Sequence, residues 1–154
     1  MCSNRAPLGA NLAAIGVYLP SLLVFAGSPS GSTELLLAAL GVSLAAAGVA
    51  LVLRSRAELG RAWSFVAKAD RGTGLVTTGP YGLVRHPIYL GLALLVLGQA
   101  LACGSWPALM IALCGIVPSF AWRARTEEKL LNRTFDERYA DYRQRTKLFI
   151  PYFF

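Results

Sequence analysis

Gly79-Pro80-Tyr81-Gly82-Leu83-Val84-Arg85-His86-Pro87-Ile88-Tyr89-Leu90-Gly91 is the stretch on which the fold turns. Proline is favoured at the first position of a helix, where its missing N–H costs nothing. The residue before a proline is pushed out of the helical region. Pro87 therefore opens a helix, and His86 sits outside it as the cap. The run that follows, Pro87–Ala102, is apolar, and only Cys103-Gly104-Ser105 separates it from a second apolar run, Trp106–Trp122. This spacing predicts a tight helical hairpin. Ionisable groups at the mouth of a membrane helix are costly unless paired or used, so Arg85 and His86 mark a site.

The whole chain agrees with a lipid environment. Its 154 residues suit one domain over 1–154, with 55% hydrophobic and 15% charged residues and a mean hydropathy of +0.51. A soluble domain carries roughly 25% charged residues. Two further apolar runs, about Leu8–Ala26 and Leu35–Leu53, are long enough to cross the hydrocarbon core, which needs about 17–25 residues. The expected fold class is all-α: a polytopic membrane protein with about four transmembrane helices and a cytoplasmic C-terminal helix. Gly41, Ala45 and Gly48 recur in the second run, which suits close helix packing in lipid.

The net charge of +7 is distributed by side. Arg5 precedes the first run; Arg54, Arg56, Arg61, Lys68, Arg71 and Arg85 lie between the second and third. Arg123, Arg125, Lys129, Arg133, Arg138, Arg143, Arg145 and Lys147 follow the fourth, which accounts for all 15 Lys and Arg. The positive-inside rule then puts both termini in the cytoplasm, in an inner or cytoplasmic membrane. A nucleic-acid-binding face is the poorer account of this distribution. Arg5, the first run and Val24-Phe25-Ala26 also resemble a cleavable signal peptide, which would leave the other three spans oriented as before. Cys2, Cys103 and Cys114 form neither a metal nor a disulfide framework.

Between the spans, Gly27–Ser32 reads as an outer turn. Glu58–Ala67 reads as an interfacial helix with Trp63 and Phe65 at headgroup depth. Leu75-Val76-Thr77-Thr78 is extended or irregular, and Gly79–Gly82 is a turn. After the fourth span, Thr126–Thr146 carries an apolar stripe at Leu131, Phe135, Tyr139 and Tyr142, one face of a helix that lies on the membrane or folds back over the loop. Pro151 is expected to end it, and Tyr152-Phe153-Phe154 to return to the interface.

Two constellations carry chemistry. Arg85 and the N-terminus of the third span form an anion-accepting corner beside His86, suited to a carboxylate; the plainer reading is contact with lipid phosphates. Arg123 and Glu127, four residues apart, share a helical face with Glu128 and Leu131 close by; the plainer reading is an ordinary ion pair at the membrane edge, worth about 0.5 kcal/mol. Tyr139 and Tyr142 are more often packing than chemistry.

Together these residues are far more specific. Gly-Pro-Tyr-x3-Arg-His-Pro-x-Tyr-x-Gly, a two-helix hairpin, Arg-x3-Glu-Glu-x2-Leu and Tyr-x2-Tyr, over about residues 60–150, resemble the isoprenylcysteine carboxyl methyltransferase family and the related phospholipid methyltransferases. That resemblance implies an integral membrane enzyme using S-adenosyl-L-methionine, without the soluble Rossmann methyltransferase fold. The chain likewise has no Gly-rich strand-turn-helix fingerprint. It implies a cofactor pocket from Gly74, Leu75, Val76, Tyr81, Arg85, His86, Pro87, Tyr89 and Glu127, with Arg123 facing the acceptor and His86 beside it as the catalytic pair. The chain departs from the family at Asp136, where glycine is usual after the aromatic, and in having only four expected spans.

The expected function is methyl transfer from S-adenosyl-L-methionine to a lipophilic acceptor, either an isoprenylcysteine-like carboxylate or a phospholipid-like amine, at the cytoplasmic face. A carboxylate needs no general base, whereas an amine must lose a proton, and His86 is the only histidine. The implied partners are the lipid bilayer and a lipophilic or prenylated acceptor, with no nucleic acid and no metal. The rivals are a sterol-type NADPH-dependent reductase, in which Asn often follows the Pro where this chain has Ile88, and a non-catalytic protein that retains the fold.

Overall fold

The computed structural model describes residues 31–60, 75–135 and 137–149. The expected first span, Gly74, residues 61–67 of the expected interfacial helix and the Tyr152–Phe154 tail lie outside them. Five α-helices are described: α1 Ser32–Leu59, α2 Pro87–Ala102, α3 Trp106–Ile111, α4 Val117–Phe135 and α5 Glu137–Arg145. Among the described residues there is no strand, only a single parallel bridge between Val84 and Lys147.

The helix expected over Leu35–Leu53 runs on to Leu59, taking in Arg54, Arg56 and the start of the stretch read as a separate interfacial helix. Nothing between Leu53 and Glu58 breaks it: that stretch holds no glycine or proline, and Gly60, at φ 47°, is the first residue to leave the helical region. At about 1.5 Å per residue its 28 residues reach about 42 Å, well past a hydrocarbon core of about 30 Å. Leu35, Leu36, Leu40, Val42 and Leu53 point outward and are exposed, as lipid-facing side chains are.

α1 and α2 pack antiparallel through glycines from both helices. Gly41 meets Gly98 and Ala102, and Gly48 meets Gly91. A Cβ on Gly48 would fall 2.5 Å from the Gly91 carbonyl, and one on Gly98 2.5 Å from the Ala45 nitrogen. The two glycine pairs have the same seven-residue spacing, so both crossing points lie on one face of each helix. The small residues of the second run were legible as a packing face; their partners Gly91 and Gly98 were not identified from the sequence.

The hairpin forms where it is expected. α2 has the predicted bounds, Pro87–Ala102. Gly104, at φ 62°, turns the chain, and Ser105 caps α3 by accepting from the Ala108 N–H at 3.3 Å. The fourth run is longer than predicted: α3, a π turn over Ala112–Ile116 and α4 make one 30-residue rod, Trp106–Phe135. Two causes account for the π turn. Pro118 lacks an N–H and its ring crowds the Cys114 carbonyl one turn earlier. The core stripe Ala108, Ala112, Ile116 and Phe120 also recurs every four residues. Such a stripe drifts about 40° per step around a regular α-helix, and a wider turn absorbs part of the drift. Tyr89, Val96 and Leu97 of α2 pack against it.

α1 and the Trp106–Phe135 rod are each long and apolar enough to cross a membrane; α2, at 16 residues, is shorter. The described residues form an all-helical fold with the apolar helices that a membrane protein needs.

The helix expected over Thr126–Thr146 is described on either side of position 136, as the end of α4 and as α5, and its last helical residue is Arg145, one short of the expected bound. At its end the Arg85 guanidinium donates to the carbonyls of Arg143 (3.2 Å) and Thr146, and the Thr146 N–H and hydroxyl both donate to the Tyr142 carbonyl, at 3.1 and 2.7 Å. Residues 146–149 then leave as a strap along Val84–His86.

Candidate functional site

The site gathers where the loop, the start of α2, the end of α4 and the strap meet. The loop is held first. The Gly79–Gly82 turn is a 3₁₀ turn, as read from its glycines and proline. Gly79 has φ 57°, and a Cβ there would also strike the Glu58 side chain. Glu58 in turn accepts from the Thr78 hydroxyl at 3.1 Å. The end of α1 thus anchors the loop. From the other side, the Tyr142 hydroxyl donates to the Tyr81 carbonyl at 2.7 Å. Tyr142 is therefore a brace on the loop as well as a packing residue, and α5 folds back over it. Burial pushes its phenol up to about 12. Tyr81 and Tyr139 are raised further, again first by burial, then by neighbouring groups, Tyr142 for Tyr81 and Glu128 for Tyr139.

His86 stands where Pro87 requires, in non-helical backbone (φ −125°, ψ 58°) before the first helical residue. Its N–H donates to the Leu148 carbonyl at 3.2 Å, and the Arg85 N–H to the Lys147 carbonyl at 2.8 Å. Its imidazole is buried between two carboxylates. Nδ1 lies 4.0 Å from Glu127 Oε2, and Nε2 lies 3.8 Å from Glu128 Oε1. Both are too long for hydrogen bonds. Nε2 is left without a hydrogen-bond partner among the described residues.

Each carboxylate has its own cation. Arg85 Nε donates to Glu128 at 2.5 Å, with both side chains largely shielded (9% and 15% exposed). In a pair this dry the desolvation cost offsets much of the attraction, but removing one partner strands a shielded charge and is strongly destabilising. Arg123 Nε approaches Glu127 at 3.3 Å, and the Tyr89 hydroxyl donates to the same oxygen at 2.5 Å. The expected helical ion pair is present, and a tyrosine shares it. Aromatic rings form a row behind these charges. Phe149 lies 6.1 Å from His86, His86 stacks on Tyr89 at 5.8 Å, and Tyr89 stacks on Phe120 at 5.9 Å.

The structure therefore brings together His86, Arg85, Tyr89, Glu127 and Arg123, with Pro87 buried beneath them and Tyr81 at the edge. It does not bring Leu75 or Val76 into this hydrogen-bonded cluster among the described residues; both are half-buried in irregular chain. The anion-accepting corner is also revised, because Glu128 already occupies the Arg85 guanidinium. Sequence reasoning put Glu128 in the second constellation but not in the cofactor pocket, and it omitted Phe120 and Phe149. The Glu127-Glu128 doublet was a signal for the first. Phe120 and Phe149 carried none, because only packing and the strap bring them in.

The phospholipid methyltransferase family matches residues 36–138, so the match begins within α1, well before the loop. A nickel-cobalt-cadmium resistance protein, NccN, from Alcaligenes xylosoxydans xylosoxydans is 32% identical over 111 residues, 71% of this chain and 52% of the relative. Protein-S-isoprenylcysteine O-methyltransferase of Schizosaccharomyces pombe is 32% identical over 103 residues, 64% of this chain and 44% of the relative. The chain spans about half the length of the curated relatives it matches. In fold it resembles a eukaryotic intramembrane Ras methyltransferase, the isoprenylcysteine carboxyl methyltransferase. The TM-score is 0.67 at 20% identity, covering 93% of this chain and 51% of that one.

Proposed function

Because the chain belongs to the phospholipid methyltransferase family, we propose that it transfers a methyl group from S-adenosyl-L-methionine to a lipophilic acceptor at the membrane surface. The carrying observation is the pair of carboxylates, Glu127 and Glu128, flanking a buried His86 whose Nε2 has no hydrogen-bond partner among the described residues, in front of an aromatic row. This donor set fits the cofactor. Carboxylates accept from an ammonium or a ribose hydroxyl, and aromatic faces attract a sulfonium cation. Gly74, Leu75, Val76, Tyr81, Arg85, His86, Pro87, Tyr89 and Glu127 are the residues proposed to hold it.

When bound, the cofactor supplies an electrophilic methyl on sulfur, and transfer by in-line displacement depends on alignment and exclusion of water. The protein's own groups supply both. Tyr89 and Arg123 hold the Glu127 carboxylate in one orientation from two sides. Arg85 holds Glu128 and also ties the strap to the loop, which seats Phe149 against His86 and shields it from water. Arg123, half-buried at the membrane end of the cluster, orients a carboxylate or phosphate of the acceptor. For an amine acceptor, His86 takes the proton at Nε2; a carboxylate acceptor needs no base.

The proposal includes a single domain over 1–154 with four crossings, Leu8–Ala26 among them, and both termini in the cytoplasm. A sterol-type reductase is not favoured, since the relatives that carry an enzyme name are methyltransferases. The test is incubation of the purified protein with methyl-labelled S-adenosyl-L-methionine and membrane extract, with mass spectrometry of the products. Label in a carboxyl ester or in an amine headgroup identifies the acceptor. No labelled lipid or prenylated product, together with no binding of S-adenosylhomocysteine, would leave the non-catalytic reading.

A further inference from the structure

A cavity opens beside the Arg85–Glu128 pair. It has a volume of about 440 Å³, and its lining includes Arg85, Arg125, Glu128, Lys129, Tyr139 and Arg143; His86, Tyr89, Arg123 and Glu127 do not line it. Glu128 is committed to Arg85. Arg125, Lys129 and the Arg143 guanidinium form no ion pair among the described residues, so three cations face the cavity without a carboxylate of their own. Such a potential repels a sulfonium and attracts an anion. This cavity therefore differs in its chemistry from the carboxylate-flanked face of His86.

A second observation points to a ligand. Tyr139 lines the cavity and is 1% exposed, and its hydroxyl, beside the Glu128 carboxylate, makes no hydrogen bond among the described residues. A buried hydroxyl without a partner is costly, and an acceptor oxygen in the cavity would satisfy it. The depth is informative too. The apolar part of the rod ends at Trp122, an exposed indole of the kind that anchors at the headgroup level. Arg125 and Lys129 lie three and seven residues further along α4, about 5 and 10 Å beyond it at 1.5 Å per residue. That is the layer occupied by lipid phosphates.

We propose that this cavity binds the phosphate group of an anionic membrane lipid, with Arg125, Lys129 and Arg143 meeting its charge and the Tyr139 hydroxyl donating to one of its oxygens. Basic pockets beside membrane helices hold anionic head groups in this way, and guanidinium–phosphate contacts are strong and directional. The inference does not depend on methyl transfer.

The test is titration calorimetry of the detergent-solubilised full chain with dioctanoyl phosphatidic acid, dioctanoyl phosphatidylcholine and inorganic phosphate. Phosphatidic acid is expected to bind at least about tenfold tighter than either of the others. Arg125→Ala/Lys129→Ala/Arg143→Ala is expected to weaken it by at least about tenfold, and Tyr139→Phe, which removes one oxygen and keeps the ring, by about three- to tenfold. Wild-type affinity in the triple variant would overturn the site. Wild-type affinity in Tyr139→Phe would reduce it to diffuse surface charge and overturn it as well. Equal binding of inorganic phosphate would overturn the lipid source.

Discussion

Arg85 ties three parts of the molecule together, and replacing it should release one of them. Its Nε meets Glu128 at 2.5 Å, and its Nη1 donates to the carbonyls of Arg143 and Thr146. Arg85→Met keeps the apolar stem and removes all three contacts. Hydrogen bonds from a charged group contribute about 1.5–3 kcal/mol each. The Arg143 contact is exposed and counts for less, so the two carbonyl contacts together hold the strap by about 2–4 kcal/mol. Tenfold corresponds to about 1.4 kcal/mol, so local opening of residues 146–149 should become roughly 30- to 700-fold more frequent. Hydrogen exchange read by mass spectrometry on peptides from α5 and the strap measures this. The α2 peptide Pro87–Ala102 serves as the internal reference. Arg85→Lys should fall between, since an ammonium cannot reach three acceptors from one plane. The double variant Arg85→Met/Glu128→Gln separates loss of the clamp from the cost of stranding a shielded carboxylate. Unchanged exchange at 146–149, or equal acceleration in α2, would refute the argument: the first because the strap would hold without Arg85, the second because the whole fold would have weakened.

Gly98→Val should destabilise by several kcal/mol or prevent folding, because its Cβ alone falls 2.5 Å from the Ala45 nitrogen across the α1–α2 crossing; thermal unfolding in detergent checks this, and a stable variant would mean the helices can separate at little cost. Arg123→Lys should cut methyl transfer more than about tenfold while leaving S-adenosylhomocysteine affinity within a few-fold, as paired calorimetry and turnover would show; equal losses would move Arg123 into the cofactor pocket. Cysteine substitutions in Gly27–Glu34 should react with an impermeant probe added from outside, and one at Gly72 should not; the reverse would overturn the cytoplasmic placement of the site.

Local rules were enough for much of this protein. Pro87 set where α2 begins and kept His86 out of the helix, because both effects act within two residues. Apolar run length set the α2–α3 hairpin, and glycines set the 79–82 turn. The family resemblance grouped His86, Tyr89, Arg123 and Glu127 in one candidate site, and the hairpin, by returning the chain to the same end, lets them meet. Tertiary structure alone decided which charges remained available. Arg85 reads as an open anion receptor along the chain, yet Glu128, 43 residues away, occupies it. The helical stretch up to Thr146 was legible, yet the course of the strap after it is fixed by Arg85, which donates to the carbonyls of Arg143 and Thr146. Gly91 and Gly98 read as ordinary small residues until Gly48 and Gly41 are laid against them. In each case the deciding partner lies on another element, and a hydrogen bond or a backbone approach of a few ångströms depends on how those elements pack, which no local pattern in the chain encodes.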